Sequence, residues 1–127
     1  MIVLDTHAWF WWAVESLKLS APASAALARE DEIGVSPVSC WELAMLVEKG
    51  RLRLDRDVAK WIRDALSNPA IRVVELTPEI AVAAARLPRF HGDPADRMIA
   101  ATALALDCAV VTKDSKLRAY PPLRTIW

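Results

Sequence analysis

Short apolar runs punctuate the chain, and between them lie longer stretches with apolar positions at helical spacing. Residues 1–4, 33–36 and 109–112 read as short strands, and residues 71–76 and 123–126 as two more. The stretch at 7–14 reads as a helix. Ser20 and Pro22 open a second, over 21–30, as N-cap and early-turn proline. A third starts at Ser36-Pro37 or at Ser39 and runs to about residue 49, where Gly50 stops it. Asp57 caps a helix to about residue 68, ended by Pro69. Thr77-Pro78 starts another to about residue 87. Asp93-Pro94 opens an Ala-rich helix to residue 106, and a short helix follows at 115–119. The loop at 86–92 is expected to be the most mobile element. Strands one, two and four are short continuous apolar runs rather than alternating. An alternating strand–helix order with such strands predicts an α/β fold with a mostly parallel sheet of four to five strands, covered on both faces.

At 127 residues the chain is expected to form a single domain, 1–127, and its 54% hydrophobic content supplies a core. Formal net charge is +0 and the pI is near 6.7, so a nucleic-acid site must be a local basic patch. No apolar stretch approaches the roughly 18 residues of a membrane span, and no basic leader precedes the first strand. Cys40 and Cys108 form no C-x-x-C pair and are expected to be reduced, in a cytoplasmic protein.

Four acids share a local context. Asp5 follows strand one, Glu42 lies beyond strand two, Asp114 follows strand four, and Asp96 opens the helix that leads into strand four. In a parallel sheet such turns gather at the carboxyl edge, where ligands bind. Each acid has a local explanation as a helix cap. Ser39-Cys40-Trp41-Glu42 matches the capping box, and Asp93 is an N-cap before Pro94 with Asp96 three residues on. Together, however, carboxylates from four elements repel one another unless a cation lies between them. Oxygen donors of this kind suit Mg²⁺ or Mn²⁺; zinc is not expected, since His7 and His91 are isolated. The chemistry such a centre supports is phosphodiester hydrolysis. The three glycines, Gly34, Gly50 and Gly92, allow no P-loop or dinucleotide fingerprint.

The segments Met1-Ile-Val-Leu-Asp5-Thr6-His7-Ala8 with Trp11-Trp12, Ser36-Pro-Val-Ser39-Cys-Trp41-Glu42, His91-Gly-Asp93-Pro-Ala-Asp96-Arg97-Met-Ile-Ala-Ala-Thr-Ala and Val111-Thr112-Lys-Asp114 resemble PIN-domain ribonucleases, in particular VapC-type toxins of type II toxin–antitoxin pairs. The resemblance runs in order over nearly the whole chain. It implies a PIN-like α/β/α sandwich and a metal-dependent endoribonuclease. Asp5 and Asp96 would be the main ligands of Mg²⁺ or Mn²⁺. Glu42 and Asp114 would complete the pocket directly or through water, and Thr6 and Thr112 would be hydroxyls that orient the acids. Asp93 and His7 are further candidates, each with a local structural role that competes. The resemblance also implies an RNA substrate, a homodimer, and inhibition by a cognate VapB-type antitoxin that threads a peptide over the toxin.

Trp9, Phe10, Trp11 and Trp12 spread round one helix at about 100° per residue, so they cannot share one core face. Two are expected in the core and two half-buried, or at an interface with a partner. Trp41 and Trp61 are expected to pack inside and Trp127 to be exposed. Arg97, Lys113 and Lys116 are nearest in sequence to the acids and are the candidate phosphate contacts. Two rival readings remain. One is a PIN-fold module that binds RNA or a partner without cutting. The other is a phosphatase-type domain with an Asp nucleophile, which wants a second Asp where this chain has His7.

Overall fold

The computed structural model describes residues 1–90 and 92–127. Among these, five short strands form one sheet: β1 (Ile2–Leu4), β2 (Ile33–Val35), β3 (Ile71–Val73), β4 (Val110–Val111) and β5 (Thr125–Ile126). Their order is β3-β2-β1-β4-β5, and all four pairings are parallel. Val3 lies between Gly34 on one side and Val110 on the other. The chain thus moves outward from β1 through β2 to β3, then returns to the far side of β1. That reversal, between β1 and β4, is the point where doubly wound sheets open a ligand crevice at the carboxyl ends of their strands.

The helices are α1 (Thr6–Val14), α2 (Ala21–Arg29), α3 (Pro37–Glu48), α4 (Val58–Leu66), α5 (Pro78–Ala85), α6 (Pro94–Ala105) and α7 (Ser115–Arg118), with a 3-10 turn at Ser16–Lys18. Each of the seven has a side-chain N-cap. Asp5, Ser20, Ser36, Asp57, Thr77, Asp93 and Asp114 accept from backbone N–H groups of their own first turns. Caps of this kind satisfy donors that a helix cannot satisfy internally. Every helix that follows a strand therefore starts on a polar oxygen at the carboxyl edge.

Side-chain alternation along the strands builds two cores. Ile2, Leu4, Ile33, Val35 and Val111 face α1, α2 and α4, packing on Trp9, Ala26, Leu27 and Trp61. Val3 and Val110 face the other way, onto Ala95, Ile99, Ala100 and Ala103 of α6, with Leu117 and Tyr120 beyond. α5 packs on the outside of α6 through Ile80 and Ala84. Gly34 leaves little room for a side chain. A Cβ there would lie 3.0 Å from Val74 Cγ2 and 3.3 Å from Val3 Cγ2. Gly50, at φ +69°, ends α3 in the left-handed conformation.

Several expectations need correction. Ser36, not Ser39, caps α3: its Oγ accepts from Val38 N at 3.2 Å. The proline at the first helical position fixes that start, so Glu42 stands inside the helix and has no capping-box role. Trp41 is 54% exposed, because it lies on the outer face of α3. Trp127 is half-buried against Trp11, with ring centroids 5.8 Å apart. Of the aromatic run only Trp9 is fully buried; Phe10, Trp11 and Trp12 are half-buried. The 86–92 loop includes His91, which lies outside the described residues.

Candidate active site

At the carboxyl edge, beside the β1/β4 reversal, opens a cavity of about 500 Å³. Its described lining is Asp5, Thr6, His7, Trp11, Glu42, Asp93, Asp96, Lys113 and Asp114. The four acids of the sequence pattern, drawn from four separate elements, therefore share one wall with Asp93 as a fifth.

Asp5 follows β1 and caps α1, and only 7% of it is exposed. Its Oδ1 accepts from Ala8 N at 2.8 Å, and its Oδ2 accepts the Thr112 hydroxyl. Burial pushes its carboxyl above the usual range, against the pull of those two hydrogen bonds. Thr112, fully buried at the end of β4, also accepts from Asp114 N at 3.0 Å. One hydroxyl thus ties Asp5 to the loop that carries Asp114. Asp114 in turn caps α7 through Oδ1, which accepts from Lys116 N at 2.8 Å and Leu117 N at 3.0 Å.

Asp96 sits in the first turn of α6, where the helix dipole favours a negative charge. Asp93 Oδ1 accepts its backbone N–H at 3.1 Å, which orients the turn. Burial is the largest influence on Asp96, followed by the charges of Asp93, Asp114, Glu42 and Asp5; together they raise its carboxyl to about 7. Asp96 is thus the position where the field of all the other acids is felt. Glu42 reaches the cavity from the second turn of α3.

The hydroxyls and bases divide differently from expectation. Thr112 bonds Asp5, whereas Thr6 donates to Ser39 Oγ at 3.1 Å, a buried link between the starts of α1 and α3. Ser39 enters the site's support only through this contact, and the local sequence signals a cap rather than a tertiary partner. Arg97 turns away from the cavity. It donates to Ala84 O at 3.0 Å, Leu87 O at 3.5 Å and Phe90 O at 2.9 Å, clamping the end of α5 and the loop beyond it to α6. Lys116 lines a separate, largely apolar hollow with Phe90, Tyr120 and three prolines. Lys113 is the one lysine or arginine among the described lining residues of the acidic cavity. His7 is exposed and packs against Trp11, with the rings tilted and their centroids 5.7 Å apart.

Five acidic side chains and one lysine, with burial and then the neighbouring acids raising the Asp96 carboxyl to about 7, make a donor set that fits a hard divalent cation. Among the described residues no three acidic, histidine or cysteine side chains are pre-assembled as a ligand set. Mg²⁺ keeps several of its waters and needs few direct carboxylates, so the open arrangement and the ion's chemistry agree. Among the described residues no helix is long and apolar enough to cross a membrane.

Residues 2–122 match the PIN domain family. The chain is 40% identical to Ribonuclease VapC22 of Mycobacterium tuberculosis, over 99% of its own length and 98% of that protein. Its fold is similar to VapBC2 from Rickettsia felis, solved bound to a DNA fragment from their promoter (TM-score 0.71, 18% identity, 98% of this chain and 97% of that one). It is also similar to a toxin–antitoxin complex from Klebsiella pneumoniae (TM-score 0.66, 17% identity, 97% and 95% covered). An all-parallel sheet in this order, an acidic crevice at its carboxyl edge and a relative of this closeness lead to one statement: the chain belongs to the PIN-domain family, among its VapC-type members.

Proposed function

We propose that this chain is the toxin of a toxin–antitoxin pair and that it hydrolyses RNA phosphodiester bonds at the acidic cavity. The observation that carries the reading is the convergence on Asp96, whose carboxyl is raised to about 7 by burial and by four neighbouring acids. A cluster that strains against its own charge is explained by a cationic cofactor and not by capping, since one carboxylate per helix suffices for a cap. The 40% identity to a protein named as a ribonuclease supports the reaction class.

Asp5 and Asp96 would hold Mg²⁺ or Mn²⁺, with Glu42 and Asp114 joining directly or through water. When bound, the ion lowers the pKa of an attacking water and stabilises charge on the leaving oxygen. The chain's own work is positional. Thr112 and the Ala8 N–H fix both oxygens of Asp5. The Asp93 cap fixes the turn that carries Asp96, and Lys113 offers a positive charge beside the acids to an incoming phosphate. We further propose that the chain acts as a single PIN unit over residues 1–127, works in the cytoplasm as a homodimer, and is restrained by a VapB-type antitoxin peptide that covers this cavity.

The test is incubation of structured RNA with the purified protein, with Mg²⁺ or Mn²⁺ and with EDTA. Cutting at defined sites is expected only with metal, and Asp5→Asn and Asp96→Asn are expected to be inactive while folded. Undiminished cutting by either folded variant would remove the ligand assignment. RNA retention without cutting by the wild type would favour a binding module instead.

A further inference from the structure

The acidic cavity poses a recognition problem. A polyanion must settle where five carboxylates face one lysine, so contacts that do not depend on phosphate charge add to what a bound cation supplies there. One described wall of the cavity supplies such a surface. Trp11 lines it from α1, four residues after His7 and therefore on the same helix face. The other aromatic residues near it have different work: Trp9 and Phe10 pack on Trp61, with centroids 5.6 and 5.7 Å away. Trp11 is half-buried and braced. His7 lies against it at 5.7 Å and 49°, and Trp127, from the far end of the chain, at 5.8 Å and 52°. Two ammonium groups, Lys113 Nζ and Lys18 Nζ, each stand 6.0 Å from its ring centroid. Lys18 is also paired to Glu15 at 2.7 Å. A braced indole with two ammonium groups over its ring, lining the acidic cavity, holds the two parts of a single-strand binding surface: a platform for a base once the ammoniums move off it, and positive charge for the flanking phosphates.

Resting on the ribonuclease reading, we infer that Trp11 stacks on an unpaired base next to the scissile phosphate, and that Lys113 and Lys18 shift from the indole to the phosphates on either side. Stacking of this kind accepts any base but requires that the base be free of a duplex. Specificity at this nucleotide is therefore for an exposed base and not for base identity.

The test uses full-length Asp96→Asn protein in EDTA, so that no RNA is cut, and a short fluorescein-labelled single-stranded RNA read by anisotropy. Trp11→Leu is expected to weaken binding about 10-fold, and Trp11→Phe to stay within about 3-fold, as loss or retention of one base stack implies. Replacing bases one at a time by abasic residues needs no further protein variant. One position is expected to weaken Asp96→Asn protein and to have no effect when Trp11→Leu is added. A duplex of the same sequence is expected to bind more weakly than the single strand. Equal binding by the Trp11→Leu and Trp11→Phe proteins, or equal abasic losses with and without Trp11→Leu, overturns the stacking assignment. If the wild type also cuts RNA with Mg²⁺, the ribonuclease reading survives that failure. Binding that shows the Trp11 dependence in a wild type that never cuts RNA keeps the stacking surface and removes the nuclease. A wild type that neither cuts nor binds RNA removes both.

Discussion

Asp96→Asn takes one negative charge out of a cavity in which Asp93, Asp114, Glu42 and Asp5 all oppose it. In the folded protein the Asp96 carboxyl titrates at about 7, against an ordinary value of 3.8. The folded state therefore holds that proton more tightly than the unfolded chain does. Protonation stabilises the fold; the effect is whole below the unfolded pKa and is lost as pH rises through about 7. A rise of about 3 units corresponds to about 4 kcal/mol at 1.36 kcal/mol each. The cavity opens to water, and screening there reduces the expected cost to about 1–2 kcal/mol. Asparagine keeps the shape and removes the charge. In EDTA at about pH 8 the Asp96→Asn protein should melt higher than the wild type by about 3–8 °C, given the unfolding entropy of a chain this size. Near pH 4.5 the gap should shrink to roughly a quarter, because the wild-type carboxyl is then protonated in the folded state. Adding Mg²⁺ should raise the wild-type melting temperature and leave the variant's unchanged. A variant no more stable than the wild type at about pH 8, or a gap that does not shrink in acid, would refute the electrostatic account of this position.

Thr112→Val removes the hydroxyl shared by Asp5 and Asp114, leaving a buried carboxylate oxygen and a backbone N–H unpaired. A loss of about 1–3 kcal/mol in urea unfolding and slower RNA cutting are expected, with Thr112→Ser restoring both. Arg97→Met releases three backbone carbonyls, so it should cost about 2 kcal/mol in stability yet leave the salt dependence of RNA binding unchanged. Lys113→Gln should do the reverse, lowering the salt slope by about 1 with little change in melting temperature. Gly34→Ala forces a Cβ to 3.0 Å from Val74 Cγ2 and should lower stability by about 1–3 kcal/mol, measured by the same unfolding curves.

The parts of this molecule that follow local rules were legible in the chain. Ser20, Asp57, Thr77, Asp93 and Asp114 cap helices where the sequence places caps, because a cap is decided within four residues. The apolar runs became strands of one parallel sheet, because only burial on both faces accommodates them. Its order then brought Asp5, Glu42, Asp96 and Asp114 to one cavity. What escaped depends on distant partners. Ser36 and Ser39 both look like caps; Pro37 settles the cap on Ser36, and the partner that gives Ser39 its role, Thr6, comes from another helix. Arg97 reads as a phosphate contact by proximity to Asp96, but the carbonyls that hold it belong to α5 and the following loop. Trp41 reads as core by its chemistry and lies outward by its position on α3. Trp11 is hidden in a run of aromatics, and its neighbours Trp127 and Lys113 come from the other end of the chain.

The central claim is that the carboxylate cavity holds the divalent ion used to cut RNA. Titration of Mn²⁺ into the metal-free protein, followed by the loss of the free-ion paramagnetic signal, tests it directly. Saturable binding by the wild type is predicted, lost in folded Asp5→Asn and Asp96→Asn proteins and displaced by Mg²⁺. Equal Mn²⁺ binding by the wild type and both variants would contradict it.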